Sequence, residues 1–255
     1  MRLVGRVSIV TGAARGIGLS IAERLAAEGA RVLLADAADN ELQHATLALQ
    51  QRGFDVAACV ADVTTTCGND TIVRSALERY GRIDIFNANA GIAPFHDLLE
   101  TNAEEIDRTI SVNLTGAIYG CSAVLPHMVK QRSGVITLTA SIAAYVGDPA
   151  VPVYSATKGG LTALCRSVAV RHGPDGIRCN TICPGDVRTQ MLEDYINRAD
   201  DPVQAREELI GRYPLGRLAE TQEIGGVAAF LASDDAAWIT GTDIVIDGGL
   251  TARCY

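Results

Sequence analysis

Tyr154-Ser155-Ala156-Thr157-Lys158 sets a phenol and an ammonium four residues apart. On a helix the two share a face, one turn from each other. The chain holds seven Tyr and only two Lys (130 and 158), so the chance of any Tyr–Lys pair at this spacing is about 0.05. Arg is ten times commoner than Lys, yet position 158 is Lys, whose compact charge is chemically unlike a guanidinium. Taking the proton of an alcohol as its hydride leaves requires a base, and free Tyr, with a pKa of about 10, is a poor one at neutral pH. A nearby positive charge favours the phenolate, so such a Tyr can accept a proton in oxidation and return it in reduction. Ser141 lies 13 residues before Tyr154, just past the apolar run Val135–Thr139, where a hydroxyl can hold a substrate oxygen beside the phenol. The bland alternatives are a surface Tyr and Lys that share a helix face by chance, and a serine that caps a loop.

Elements must bring these residues together. Short apolar runs at Val7–Thr11, Arg31–Asp36, Val56–Ala61, Ile83–Asn87, Val135–Thr139, Arg178–Ile182 and Ile244–Ile246 read as strands. Amphipathic stretches lie between them, among them Gly18–Glu28, Glu41–Gln51, Asp70–Tyr80 and Glu104–Val129. Strands alternating with helices predict an α/β fold, a doubly wound parallel sheet of about seven strands with helices on both faces. The strands are apolar almost throughout, as expected when both faces are covered. With no repeat, low-complexity segment or linker, residues 1–255 are expected to form one domain.

Between the first strand and the first helix runs Thr11-Gly12-Ala13-Ala14-Arg15-Gly16-Ile17-Gly18. Such a turn lets the backbone approach a pyrophosphate, and the helix start offers free N–H groups and a positive dipole end. Its place in the first βαβ unit favours a dinucleotide site over a plain structural turn. Asp36 ends the second strand, where a carboxylate accepts hydrogen bonds from ribose hydroxyls and repels a 2′-phosphate. Arg15 argues the other way, but Ala37 stands where a phosphate-binding Arg often follows. NAD is expected over NADP.

A net charge of −8 without basic runs argues against nucleic acid. The apolar start, Val7 to Thr11, is too short for a signal segment, and no run of 18 apolar residues predicts a membrane span. The chain reads as cytoplasmic. Seven cysteines (59, 67, 121, 165, 179, 183, 254) at irregular spacing fit reduced thiols. Cys179 and Cys183 fall on one strand, about 13 Å apart, too far to share an ion, so no metal is expected.

Over essentially its whole length the sequence resembles the short-chain dehydrogenase/reductase family. The resemblance rests on the glycine turn, Asp62-Val63, Asn89-Ala90-Gly91, Asn113, Ser141, Tyr154/Lys158 and Pro184-Gly185, in that order. It implies a Rossmann-type fold and hydride transfer between nicotinamide and a carbon bearing a hydroxyl or carbonyl. Asp62 and Val63 would then contact adenine, and Asn89, Ala90 and Gly91 would line the cofactor. Asn113 would hold a water that relays protons to Lys158, and Val187 and Thr189 would meet the carboxamide. The bland readings are a helix cap for Asp62, a backbone-bonding amide for Asn113 and a turn for Pro184-Gly185. Two departures stand out: Asn87-Ala88 where the family has an apolar residue and then Asn, and Glu220-Thr221-Gln222 at the start of the last helix.

Three segments should meet the substrate: Ile92–Leu98, Ile142–Val153 and Asp186–Tyr213, the last as a lid over residues 186–213. His96 and Gln190, with Asp148 and Arg188, would suit a sugar or polyol, whereas Tyr145, Val146 and Val151 would suit an apolar ring or acyl chain. A 3-oxoacyl thioester reductase, a hydroxysteroid dehydrogenase and a catalytically silent NAD-binding sensor remain as alternatives. The segments Val153–Val170 and Val112–Met128 are apolar or small on nearly all sides, which predicts packing against a second subunit. The family resemblance implies a homotetramer.

Overall fold

A computed structural model describes residues 1–253, and Cys254 lies outside the described residues. Seven parallel strands, β1 (Val7–Thr11), β2 (Arg31–Asp36), β3 (Val56–Val60), β4 (Ile85–Ala88), β5 (Gly134–Thr139), β6 (Ile177–Pro184) and β7 (Asp243–Ile246), form one sheet in the order β3-β2-β1-β4-β5-β6-β7. The order reverses between β1 and β4, and the crevice outside the strand ends at such a reversal is where open α/β sheets bind ligands. All seven predicted strands form, with ends shifted by up to two residues. Β-branched and leucine side chains fill β1 and β2, and every residue of β1 is buried.

Helices α1 (Gly16–Ala27), α2 (Asp39–Gln51) and α9 (Thr221–Ala232) cover one face of the sheet. Ile21, Leu25, Leu42 and Ala228 pack there with Val10, Val32 and Leu34. On the other face α3 (Thr66–Tyr80), α5 (Gly116–Gln131) and α6 (Pro152–His172) bury Ile72, Val124, Leu161 and Cys165 against Ile9, Phe86 and Ile136. The expectation of helices on both faces holds.

The predicted helix Glu104–Val129 forms as one unbroken helical run, but its middle turn is not α-helical. Helix α4 (Ala103–Ile110) starts at a capping box, in which Glu105 N–H donates to Asn102 while the Glu105 carboxylate accepts from Asn102 N–H. It then widens into a π turn at Ser111–Thr115 before α5 begins. Periodicity in sequence cannot register one extra residue in a turn, and such wide turns gather at functional sites. At Glu220-Thr221-Gln222 a capping box with Glu223 replaces whatever cap the family uses there, with Arg217 drawing the Glu223 carboxyl down to about 2.

Beyond β6 the chain leaves the sheet as α7 (Gln190–Ile196) and α8 (Pro202–Gly211). These two have their own small core of Leu192, Ile196, Leu209, Tyr213 and Leu218, separate from both sheet faces. Cys179 and Cys183 lie in β6, and all six described cysteines are free thiols. Among the described residues no helix is long and apolar enough to cross a membrane, and no cluster of three potential metal ligands occurs.

Candidate active site

At the carboxyl ends of the strands one cavity of about 1240 Å3 runs from the glycine turn to the segment beyond β6. Gly12, Arg15, Gly16, Ile17 and Gly18 line one end, with Asp36 beside them. Gly12 and Gly16 have positive φ, and a Cβ on Gly18 would stand 2.1 Å from the Gly12 carbonyl oxygen. Only glycine permits that approach, so the turn lies flat against the start of α1. No side chain caps α1, which leaves its first N–H groups facing the cavity, a fit for phosphate.

The Asp36 carboxylate spans from β2 to this turn, accepting from Ala14 N–H at 3.0 Å and from Ala38 N–H at 3.0 Å. Arg15 is exposed on the cavity rim and forms no ion pair among the described residues. Asp62 and Val63 line the next stretch, Asp62 accepting from Thr64 N–H in a local turn while Thr65 caps α3. The helix cap considered for Asp62 therefore falls to Thr65. The donor set of the cavity, N–H groups at one end and carboxylates placed for hydroxyls beyond it, fits a dinucleotide.

Asn89, Ala90 and Gly91 form the middle wall. Thr11 Oγ1 accepts from Asn89 N–H and Ala90 N–H, and Asn89 Nδ2 donates to the carbonyls of Thr11 and Gly12. The unusual Asn87 does not face the cavity: buried in β4, it donates to Ser8 Oγ and accepts from Thr137 Oγ1, a polar rung across β1, β4 and β5. The family's missing Asn at position 88 is thus not replaced at the wall by Asn87.

Ser141, Tyr154 and Lys158 line the cavity together, Ser141 at the end of β5 and the other two on the first turns of α6. Lys158 is 3% exposed and donates from Nζ to Thr139 O at 2.6 Å, with the ammonium 5.2 Å from the Tyr154 ring centre. Burial pushes the Tyr154 phenol up to about 12, opposed by a hydrogen bond with Ser141. The same burial pulls Lys158 down to about 8. Ser141 Oγ also accepts from Ala143 N–H, so the serine caps a short turn as well as facing the phenol.

Asn113 sits in the π turn, 1% exposed and behind the cavity wall. Its Nδ2 donates to Ile92 O and Thr157 Oγ1, and its Oδ1 accepts from Ile92 N–H. Both amide donors are therefore spent on the wall. Thr157 in turn donates to Tyr154 O, tying Asn113 to the turn that carries the phenol.

Pro184, Gly185, Val187 and Thr189 line the far wall, Thr189 Oγ1 capping α7. His96 and Gln190 line the same end. His96 Nδ1 stands 3.1 Å from Glu105 Oε1 without hydrogen-bond alignment, and Nε2 lies 3.3 Å from Arg198, which also donates to Phe95 O. Gln190 donates to Asp194. Asp148 and Val151 reach the cavity, but Arg188, Tyr145 and Val146 do not. Arg188 turns outward to Glu220 at 3.3 Å, and Tyr145 and Val146 lie 50% and 37% exposed outside the cavity. Asp186, which the sequence reading placed only as the first residue of a substrate segment, stands on the wall near Tyr154 and is hydrogen-bonded to Tyr213. Its position directly after Pro184-Gly185 was the available signal.

A family model described as enoyl-(acyl carrier protein) reductase matches residues 12–251. The chain is 38% identical over 255 residues to an L-rhamnose 1-dehydrogenase (NAD(P)(+)) of Azotobacter vinelandii, covering 98% of each. Superposed on the crystal structure of levodione reductase it gives a TM-score of 0.96 at 38% identity, covering 100% of both chains. The crystal structure of NAD+-bound xylitol dehydrogenase gives 0.94 at 33% identity, covering 98% of this chain and 100% of the other.

Proposed function

The chain belongs to the short-chain dehydrogenase/reductase family, enzymes that act on CH–OH groups, and from that premise we propose that it transfers a hydride between NAD and a secondary alcohol or carbonyl, with Tyr154 as acid and base. The observation that carries the reading is the meeting of Ser141, Tyr154 and Lys158 on one wall of a cavity whose other end is the glycine turn. When bound, oxidised nicotinamide would supply the hydride acceptor and a positive charge. The protein does the rest. Ser141 holds the substrate oxygen, and Tyr154 removes its proton in oxidation or supplies it in reduction. Lys158 keeps a positive charge beneath the ring, and Asn113 fixes the backbone of Ile92 and the turn bearing Tyr154.

Gly12, Arg15, Gly16, Ile17 and Gly18 would hold the pyrophosphate, Asp62 and Val63 the adenine, and Asn89 to Gly91 the middle of the cofactor. Pro184, Gly185, Val187 and Thr189 would meet the nicotinamide. Asp36, already fixed by two backbone N–H groups, favours NAD because its charge repels a 2′-phosphate. Residues 186–213 act as the lid, with Leu192, Ile196, Leu209 and Tyr213 packing on one another and on Leu218 apart from the two sheet cores. The same reading makes the protein a cytoplasmic, one-domain homotetramer that works on small molecules, a sugar or polyol among them.

The description of the matching family model favours a second reading, reduction of the C=C bond of an enoyl thioester. Activity against aldoses, polyols, hydroxysteroids and acyl thioesters, the enoyl form included, followed as NADH or NADPH, separates the two. For the mechanism, Tyr154→Phe is expected to keep NADH binding, measured by fluorescence, while turnover falls about 10²- to 10⁴-fold. Turnover within threefold of the parent would remove Tyr154 from its role, and full loss of NADH binding would make its role structural.

A further inference from the structure

The proposed hydride transfer makes no use of Asp186. Its backbone is held at both ends, Asp186 N–H donating to Tyr213 Oη at 2.8 Å and Asp186 O accepting from Ala219 N–H. Its carboxylate accepts from Tyr213 Oη at 2.6 Å through Oδ2. Tyr213 is buried in the core of the lid, so the aspartate is braced from behind. Among the described residues Asp186 has no ion pair, and Oδ1 has no hydrogen-bond partner. That oxygen is not sealed in the protein either, since Asp186 is half-buried and lines the cavity with Ser141 and Tyr154. Its charge reaches Tyr154, where it works to raise the phenol.

A carboxylate in such a place is costly. It disfavours the phenolate that oxidation needs, and burial, with a smaller push from Asp148, penalises its own ionised form by more than the Tyr213 hydrogen bond and the Arg212 charge restore. An ionised carboxylate only accepts hydrogen bonds, so its partner in the cavity must bring a donor. We infer that Asp186 Oδ1 receives a second hydroxyl of the substrate, so that the site selects diols and polyols over alcohols with one hydroxyl. Lys158, Arg108 and Arg198 on these walls are matched by Glu105, Asp148 and Asp194, so the rest of the wall gives a cationic donor no advantage over a neutral hydroxyl. The inference rests on the hydride-transfer reading above and narrows its substrate class.

Selection of this kind is strong for a physical reason: an analogue without the hydroxyl leaves a polar group that has already given up water unpaired. The test uses matched probes, 2,3-butanediol against 2-butanol and 2,4-pentanediol against 2-pentanol, with NAD and the whole chain. The wild-type enzyme is expected to prefer at least one diol to its mono-alcohol by tenfold or more in kcat/KM. Asp186→Asn keeps an acceptor for Tyr213 but turns an NH2 group to the cavity, and Asp186→Ala removes both. Each is expected to cut kcat/KM for the preferred diol about ten- to hundredfold and to leave NADH binding unchanged, while oxidation of the mono-alcohol holds or rises because the charge that opposes the Tyr154 phenolate is gone.

Equal loss on both members of a pair, or no loss on either, overturns the role of Asp186 while the dehydrogenase reading stands. A wild-type preference for 3-amino-2-butanol over 2,3-butanediol overturns the hydroxyl in favour of a cation. A wild-type protein that binds NADH and turns over acyl thioesters but none of the alcohols refutes the hydride-transfer assignment to alcohols, and this inference with it. Tyr213→Phe supplies the positioning control, expected to raise KM for the diol with kcat kept within threefold.

Discussion

The Tyr154 phenol and the Lys158 ammonium are moved in opposite directions by one cause. Burial disfavours charge on either, so the phenol rises to about 12 and the ammonium falls to about 8. The sequence spacing put both on one helix face and led to the expectation that the ammonium would make the phenol acidic. In the fold the ammonium is turned to Thr139 O and sits under the ring rather than at the hydroxyl, so burial outweighs it in the protein alone. For Lys158 the linkage to stability has a definite sign. Below pH 8 both folded and unfolded chains hold its proton, and the full cost of burying the charge is present. Between about pH 8 and 10.5 the unfolded chain binds a proton that the folded one has released, so stability rises with pH, by up to about 3 kcal/mol. Lys158→Met is therefore expected to stabilise the cofactor-free protein at pH 7 by about 1–3 kcal/mol, a gap that closes towards pH 10, while turnover drops at least about 10²-fold. Urea unfolding at pH 7 and pH 9.5 reads this directly, and a Met variant less stable than the parent at pH 7 would contradict it.

At the scale of elements, the approach of the glycine turn to α1 is what shapes the cofactor end of the cavity. A Cβ on Gly18 would meet Gly12 O and the Asn89 side chain, and both belong to the wall itself. Gly18→Ala should therefore cost about 1–3 kcal/mol in stability and weaken NADH binding at least tenfold. Gly226 on α9, whose added Cβ would meet only the tip of Arg24 at 3.9 Å, provides the contrast. Gly226→Ala should raise stability by up to about 1 kcal/mol through helix propensity alone. Thermal unfolding and NADH titration of both variants check the pair; equal effects would mean that crowding is not what the turn's glycines relieve. The elements were largely legible in the sequence because each strand is a short apolar run and the helices between them are amphipathic, although the caps at Asn102 and Thr65 were read only from the structure. The π turn at Ser111–Thr115 was not, since one extra residue in a turn leaves no mark on the apolar pattern, and the bond that ties its Asn113 to Ile92 joins residues 21 apart.

For the whole molecule, the unpaired faces of α5 and α6 bear on assembly. Ile118 is 38% and Val170 81% exposed, with small residues such as Ala156 and Ala163 open beside them. Contiguous apolar and small surface on two long helices is what a self-complementary interface between copies requires. Sedimentation at micromolar concentration is expected to show a tetramer, and Val170→Glu to shift it towards smaller species; a parent that sediments only as monomer would defeat the assembly.

The sequence by itself determined the α/β order of elements, the glycine turn with Asp36 at the end of the next strand, and the Tyr154–Lys158 pair, because each is encoded in residues close along the chain or in a periodic pattern. Only the tertiary structure decided which way those groups face. It turned Arg188 out to Glu220, put Tyr145 and Val146 outside the cavity, used up the donors of Asn113 in the wall, and set Asp186 against Tyr213 with an oxygen left for substrate. These outcomes depend on contacts between segments far apart in the chain, and local spacing carries no record of where a distant segment will pack.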